Sequence, residues 1–129
     1  ASISLVDGGG EIPVLRHLAH EMGYPENCVA PDPVGLRRHR ERYLAEAHPG
    51  KLPHFTDKLP ENYLRIGLIR LALTNARIIH CVRDPLDTCL SCYRTLFVGN
   101  AQAFSYDLES LGREYRRYQT VNMKQWHNI

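Results

Sequence analysis

ARIIHCVRDPLDTCLSCY, residues 76–93, decides the fold: an apolar run over Arg77–Val82 leads into Arg83, and Asp84-Pro85 then opens a helix. A short β-branched run predicts a buried strand, while Asp at the N-cap followed by Pro at the first helical position marks a helix start. The segment before it, HFTDKLP at residues 54–60, repeats the design, with a strand over Phe55–Lys58 and a helix from Pro60 to Leu73. Strand, largely apolar buried helix and second strand make a βαβ unit, whose strands run parallel and whose crossover is right-handed. Lys58 and Arg83 then stand at the carboxyl ends of parallel strands, the edge where open α/β sheets bind ligands. Two helix N-termini beside them add positive dipole ends, so the pattern predicts a phosphate or sulfate site. The alternative is two solvated loop cations.

The neighbouring stretches supply helices. Residues 11–22, EIPVLRHLAHEM, place Ile12, Leu15, Leu18, Ala19 and Met22 at helical spacing, and Gly23 follows as a stop. Tyr24–Val34 carries Pro25, Pro31 and Pro33 and reads as a loop; Gly35–Ala47 reads as a basic helix. A helix over Pro85–Phe97 has a stripe of Leu86, Leu90, Tyr93 and Phe97. A loop over Val98–Ser105 and a last helix to about Trp126 complete the chain, with Leu108, Leu111, Tyr115 and Tyr118 at packing positions. A further strand near Ser2–Val6 would add to a sheet that is short for a doubly wound domain. The expectation is one α/β domain over 1–129, incomplete as a fold.

Composition narrows the function. A chain of 129 residues, 43% hydrophobic and 23% charged, suits one ordinary globular domain, and a net charge of +2 gives no footprint for nucleic acid. Arg37, Arg38, Arg40 and Arg42 alternate with Glu41 and Glu46, as on a solvated helix face. No apolar run reaches the ~18 residues of a membrane span, so a soluble, cytoplasmic protein without a membrane partner is expected. Cys28, Cys81, Cys89 and Cys92 lack a second Cys/His pair at zinc spacing, and no metal is expected. Cys89 would lie more than a turn inside its helix, away from the N-terminal position that activates a redox thiol. These thiols read as small buried hydrophobes, with redox or metal chemistry as the alternative.

TDKLPENYLRIGLIRLALTNARIIHCVRDPLDTCLSCY, followed by FSYDLESLGREYRRY, resembles the sulfotransferase family that uses 3′-phosphoadenosine 5′-phosphosulfate, particularly its bacterial members associated with tetratricopeptide repeats. The resemblance is strongest from Thr56 to Tyr118. It implies a partial three-layer fold like that of P-loop NTPases, a short parallel sheet flanked by helices. It also implies transfer of a sulfuryl group from that co-substrate to an acceptor hydroxyl or amine. Arg83 and Ser91 match the residues that bind the 3′-phosphate, Lys58 matches the lysine approaching the transferring group, and Glu11 matches a general base. Read without the resemblance, Ser91 can equally be a surface serine and Glu11 a helix-start carboxylate. The family's 5′-phosphosulfate loop has no counterpart here, since Gly8–Gly10 lack the strand and Lys/Ser/Thr pattern. The chain therefore resembles an internal or truncated piece, whose exposed sheet edge a second copy could cover. The alternative function is an inactive fragment that binds a 3′-phosphonucleotide or serves as an interaction module.

Overall fold

The structure, a computed structural model, describes residues 5–25, 32–48, 50, 52–99 and 102–124. It divides into two compact units, Ala1–Ala76 and Arg77–Ile129.

The first unit is built around a parallel pair of strands, β1 (Val6–Gly8) and β2 (His54–Thr56), in the register Val6↔His54, Asp7↔Phe55 and Gly8↔Thr56. Parallel neighbours need a long crossover. Here it carries α1 (Val14–Glu21) and α2 (Pro33–Ala47). α1 starts later than its apolar spacing predicts because Pro13 takes the N-cap and disfavours helical backbone at Ile12. It stops as predicted: Gly23 adopts a positive φ of 66°, its N–H donates to the His20 carbonyl, and the Tyr24 N–H donates to the Ala19 carbonyl. That pairing is the Schellman arrangement, which a glycine permits at little steric cost.

α2 begins two residues before the expected Gly35. Asp32 caps it, accepting from the Gly35 N–H at 2.7 Å, and Pro33 occupies the first turn. This is the Asp-Pro start already recognised at Asp84-Pro85, hidden in a proline-rich stretch. Arg37, Arg38, Arg40 and Arg42 are exposed, as a solvated face requires. Arg42 also joins α2 to α1, pairing with Glu21 at 2.7 Å and with Glu46 at 2.6 Å.

The core lies where α1, α2 and α3 (Ile66–Ala72) meet: Val14, Leu15, Leu18, Ala19, Tyr43, Ala47, Leu68 and Ala72 are buried together with Ile12. Phe55 brings β2 to this core, 6.1 Å from the Tyr43 ring and edge-on to His48 at 4.5 Å. The helix expected over Pro60–Leu73 is a 3-10 helix at Pro60–Arg65 followed by α3, and only Leu68 and Ala72 of it are buried. Leu71 faces outward, so the apolar run makes one buried stripe rather than a buried helix.

The second unit contains α4 (Pro85–Arg94), a 3-10 turn at Ala103–Tyr106, α5 (Leu108–Arg117) and π-helical turns over Tyr118–Met123. Its principal departure from expectation is Arg77–Val82, which forms no strand. Ile78, Ile79 and Val82 are 42%, 84% and 75% exposed. β-branched composition suits a pleated, half-buried surface, but a strand also needs a neighbour for its N–H and C=O groups. No ladder includes this segment among the described residues. The predicted stripe on α4 is likewise outward: Leu86, Leu90 and Tyr93 are exposed, and Cys81 is exposed rather than buried. The helix ends at Arg94, short of Phe97, with Thr95 as its cap. The fold class remains α/β, with a short parallel sheet and flanking helices.

Candidate functional site

In the first unit the parallel ladder continues past its strands. The Gly9 N–H donates to the Thr56 carbonyl at 2.9 Å, and the Lys58 N–H donates to the Gly10 carbonyl at 2.7 Å. Glycine is required at both steps. A Cβ on Gly9 would stand 2.6 Å from the Thr56 carbonyl oxygen, and Gly10 holds a φ of +68°. Two of the three glycines that carry no phosphate-loop pattern thus have a backbone role, Gly9 in close pairing and Gly10 in a left-handed turn.

This knitting brings Glu11 and Lys58, 47 residues apart, to one level beyond the strand ends, where Lys58 Nζ donates to Glu11 Oε1. Both side chains are more than half exposed, so solvent screens the pair and it adds little stability. Lys58 can therefore leave Glu11 for a solute anion at small cost. Between Thr56 and Lys58, Asp57 turns the other way, and its Oδ2 accepts from the Tyr43 hydroxyl at 2.8 Å. Burial first, and then Asp57, hold the Tyr43 hydroxyl well above the usual tyrosine range. Sequence reasoning missed this contact; the sign was the alternation of Thr56, Asp57 and Lys58, which sends the middle side chain inward.

In the second unit Asp84 caps α4 as predicted, its Oδ1 accepting from Leu86 N–H at 2.9 Å and Asp87 N–H at 3.1 Å. The Thr88 N–H bonds the Asp84 carbonyl at 3.0 Å, and Pro85 has no N–H. Every donor of the first turn is thereby occupied, which corrects the expectation that backbone N–H groups here receive an anion. The other expected helix start, at Pro60, is a short 3-10 turn with the Asn62 N–H bonded to the Leu59 carbonyl. At α4 the first-turn N–H groups are thus not open to an anion, which leaves the candidate side chains.

Of those side chains, Arg83 precedes α4 by two residues and Ser91 lies within it. Arg83 Nη2 lies 3.7 Å from Asp87 Oδ2, and Ser91 follows Asp87 by four residues on the same helical face. Arg83 and Ser91 are both exposed, and the Ser91 carbonyl accepts from Thr95 Oγ1 at 2.7 Å. An exposed guanidinium just before the helix and an exposed hydroxyl about two turns into it are both groups that can bond an anion. Glu11 with Lys58 thus belongs to the first unit, and Arg83 with Ser91 to the second.

The remaining candidates are structural or silent. His80 bonds the Tyr118 hydroxyl, and His54 is an exposed residue of β2. Cys89 and Cys92 are partly buried; burial, then the neighbouring Cys92, pushes the Cys89 thiol up, away from the thiolate a redox centre needs. Cys28, Trp126, most of the loop at Pro25–Pro33 and the middle of the Val98–Ser105 loop lie outside the described residues. Among the described residues no cluster of three His, Cys, Asp or Glu is placed to hold a metal, and no helix is long and apolar enough to cross a membrane.

Comparison with known proteins adds the family. A protein of Aquifex aeolicus (strain VF5), described as an uncharacterized protein, is 34% identical over 144 residues, covering 99% of this chain and 19% of that relative. The chain thus spans about a fifth of the length of the curated relative it matches. No solved structure matches it. The model of the sulfotransferase family matches residues 14–129, across both units and through Lys58, Arg83 and Ser91. The chain belongs to the sulfotransferase family.

Proposed function

We propose that both units belong to one sulfotransferase domain. It would transfer the sulfuryl group of 3′-phosphoadenosine 5′-phosphosulfate to an acceptor hydroxyl or amine. The observation that carries this reading is the meeting of Glu11 and Lys58 at the carboxyl ends of the parallel strands. Family membership supplies the reaction class. Arg83 and Ser91 fit a phosphate group, since the guanidinium is exposed and its contact with Asp87 at 3.7 Å is loose enough to exchange.

In this scheme Lys58 swings from Glu11 toward the oxygen that bridges phosphorus and sulfur. There it offsets the charge that builds as the sulfur–oxygen bond breaks. Glu11, released from its cation, accepts the proton of the acceptor as the new bond to sulfur forms. Arg83 and Ser91 hold the 3′-phosphate through a charge-assisted contact and a hydroxyl. One exchange of ion pairs thereby unmasks the base only when the donor is present.

A second reading is a chain that binds the 3′-phosphonucleotide without turnover, or serves as an interaction module. The full occupation of the first-turn donors of α4 favours it, because the anion loses backbone partners there. Self-association through an uncovered sheet edge belongs to the same proposal and is tested by sedimentation. Calorimetric titration with adenosine 3′,5′-bisphosphate beside adenosine 5′-monophosphate tests the nucleotide site, and transfer of labelled sulfate tests catalysis. Preference for the bisphosphate with transfer supports the first reading. Preference without transfer supports the second, and equal affinity for the two nucleotides removes both nucleotide assignments.

A further inference from the structure

We propose that Tyr43 is a positioning residue for Lys58, acting through Asp57; the catalytic part of this inference rests on the sulfuryl-transfer reading above. Tyr43 stands on α2, 5% exposed, with its ring against Phe55 of β2. Its hydroxyl donates to Asp57 Oδ2 at 2.8 Å. The other carboxylate oxygen, Oδ1, is buried and has no hydrogen-bond partner among the described residues. Tyr43 is therefore the hydrogen-bond donor that makes burial of this carboxylate tolerable.

Asp57 is placed where that dependence matters. The residue before it accepts the Gly9 N–H, and the residue after it donates to the Gly10 carbonyl. Along extended backbone, neighbouring side chains point to opposite sides, so holding Asp57 inward on Tyr43 sends the Lys58 ammonium outward to Glu11. Removing the hydroxyl leaves both carboxylate oxygens without a donor. The segment then turns to hydrate Asp57, and Lys58 loses its register with Gly10 and Glu11.

Tyr43→Phe keeps the ring and removes only the hydroxyl. In the full chain, amide hydrogen exchange at Lys58 is expected to rise about tenfold, while exchange at Leu18 in the core changes by less than about threefold. Asp57→Asn keeps an acceptor for Tyr43 and should hold Lys58 exchange near its original rate. In the transfer assay Tyr43→Phe lowers kcat with the KM for the donor nearly unchanged, because Lys58 acts on charge that develops only in the transition state. Unchanged exchange at Lys58, or an equal rise at Lys58 and Leu18, overturns the positioning role. An original chain without transfer activity overturns the reaction assigned above, and leaves the exchange result to decide the role of Tyr43.

Discussion

Arg83 and Tyr43 show how differently exposed and buried groups report their roles. Arg83 is exposed and paired only loosely, so its substitution should leave the fold alone and act on ligand binding. Arg83→Ala is expected to weaken adenosine 3′,5′-bisphosphate by about 2 kcal/mol, some ~30-fold, with adenosine 5′-monophosphate unaffected. Arg83→Lys should lose a smaller part, since an ammonium keeps the charge but not the two-pronged geometry. Calorimetry of the three chains checks this, and equal affinities would remove Arg83 from the site. Tyr43 reports through pH instead. Its folded pKa lies above its ordinary value of 10.0, so the stability it contributes is complete below pH 10 and is lost as pH rises through the folded value. Tyrosinate absorbance should therefore show Tyr43 ionising only as the first unit unfolds in alkali. Tyr43→Phe should flatten the alkaline decline in stability; an identical decline in that variant would mean that another group governs it.

At the scale of the element, the Gly9–Gly10 bridge is the feature with the clearest physical cost. Gly9→Ala would push a methyl to 2.6 Å from the Thr56 carbonyl oxygen and from Ile12 Cδ1; the isoleucine tip can turn, the backbone oxygen cannot. The expected loss is about 1–3 kcal/mol, read as a lower unfolding midpoint, together with faster exchange at Lys58. Gly8 has nothing within 4 Å of an added Cβ, so Gly8→Ala is the matched control, and equal effects at the two positions would refute the close-approach explanation. Elements whose signals are local were legible in the sequence. Asp84-Pro85 opened α4, Gly23 closed α1, and both did so through their own backbone. Asp32-Pro33 carried the same signal, but the surrounding prolines made the stretch read as loop. Arg77–Val82 was illegible for a different reason: its composition was right for a strand, but strand formation is a property of two segments. The site divides the same way. Lys58 and Arg83 stand out as individual residues beside helix starts, and Ser91 only through the family resemblance. The pairing of Lys58 with Glu11 and of Asp57 with Tyr43 exists only after the ladder and α2 have formed.

For the whole molecule, the uneven distribution of burial predicts uneven stability. Ile12, Val14, Leu15, Leu18, Ala19, Tyr43, Ala47, Leu68 and Ala72 form the core of the first unit, while Leu111 and Met123 are the buried hydrophobics of the second among the described residues. The second unit instead exposes Leu86, Leu90, Leu96 and Val98, the last completely. Opening an element costs roughly the apolar surface it must give back to water, about 25 cal/mol per Å², so α4 has less to lose than α1. Native-state hydrogen exchange should show amides of α4 exchanging through smaller openings than those of α1. Low denaturant should shift the second group more than the first, because the response of an opening to denaturant scales with the surface it exposes. Adenosine 3′,5′-bisphosphate should narrow that gap, because a ligand held by Ser91 on α4 and by Arg83 just before it stabilises α4 in proportion to its occupancy. Uniform protection across both units would show that the chain opens as one cooperative body. Protection raised equally in α1 and α4 would place the nucleotide's stabilising effect beyond the element to which Arg83 and Ser91 assign it.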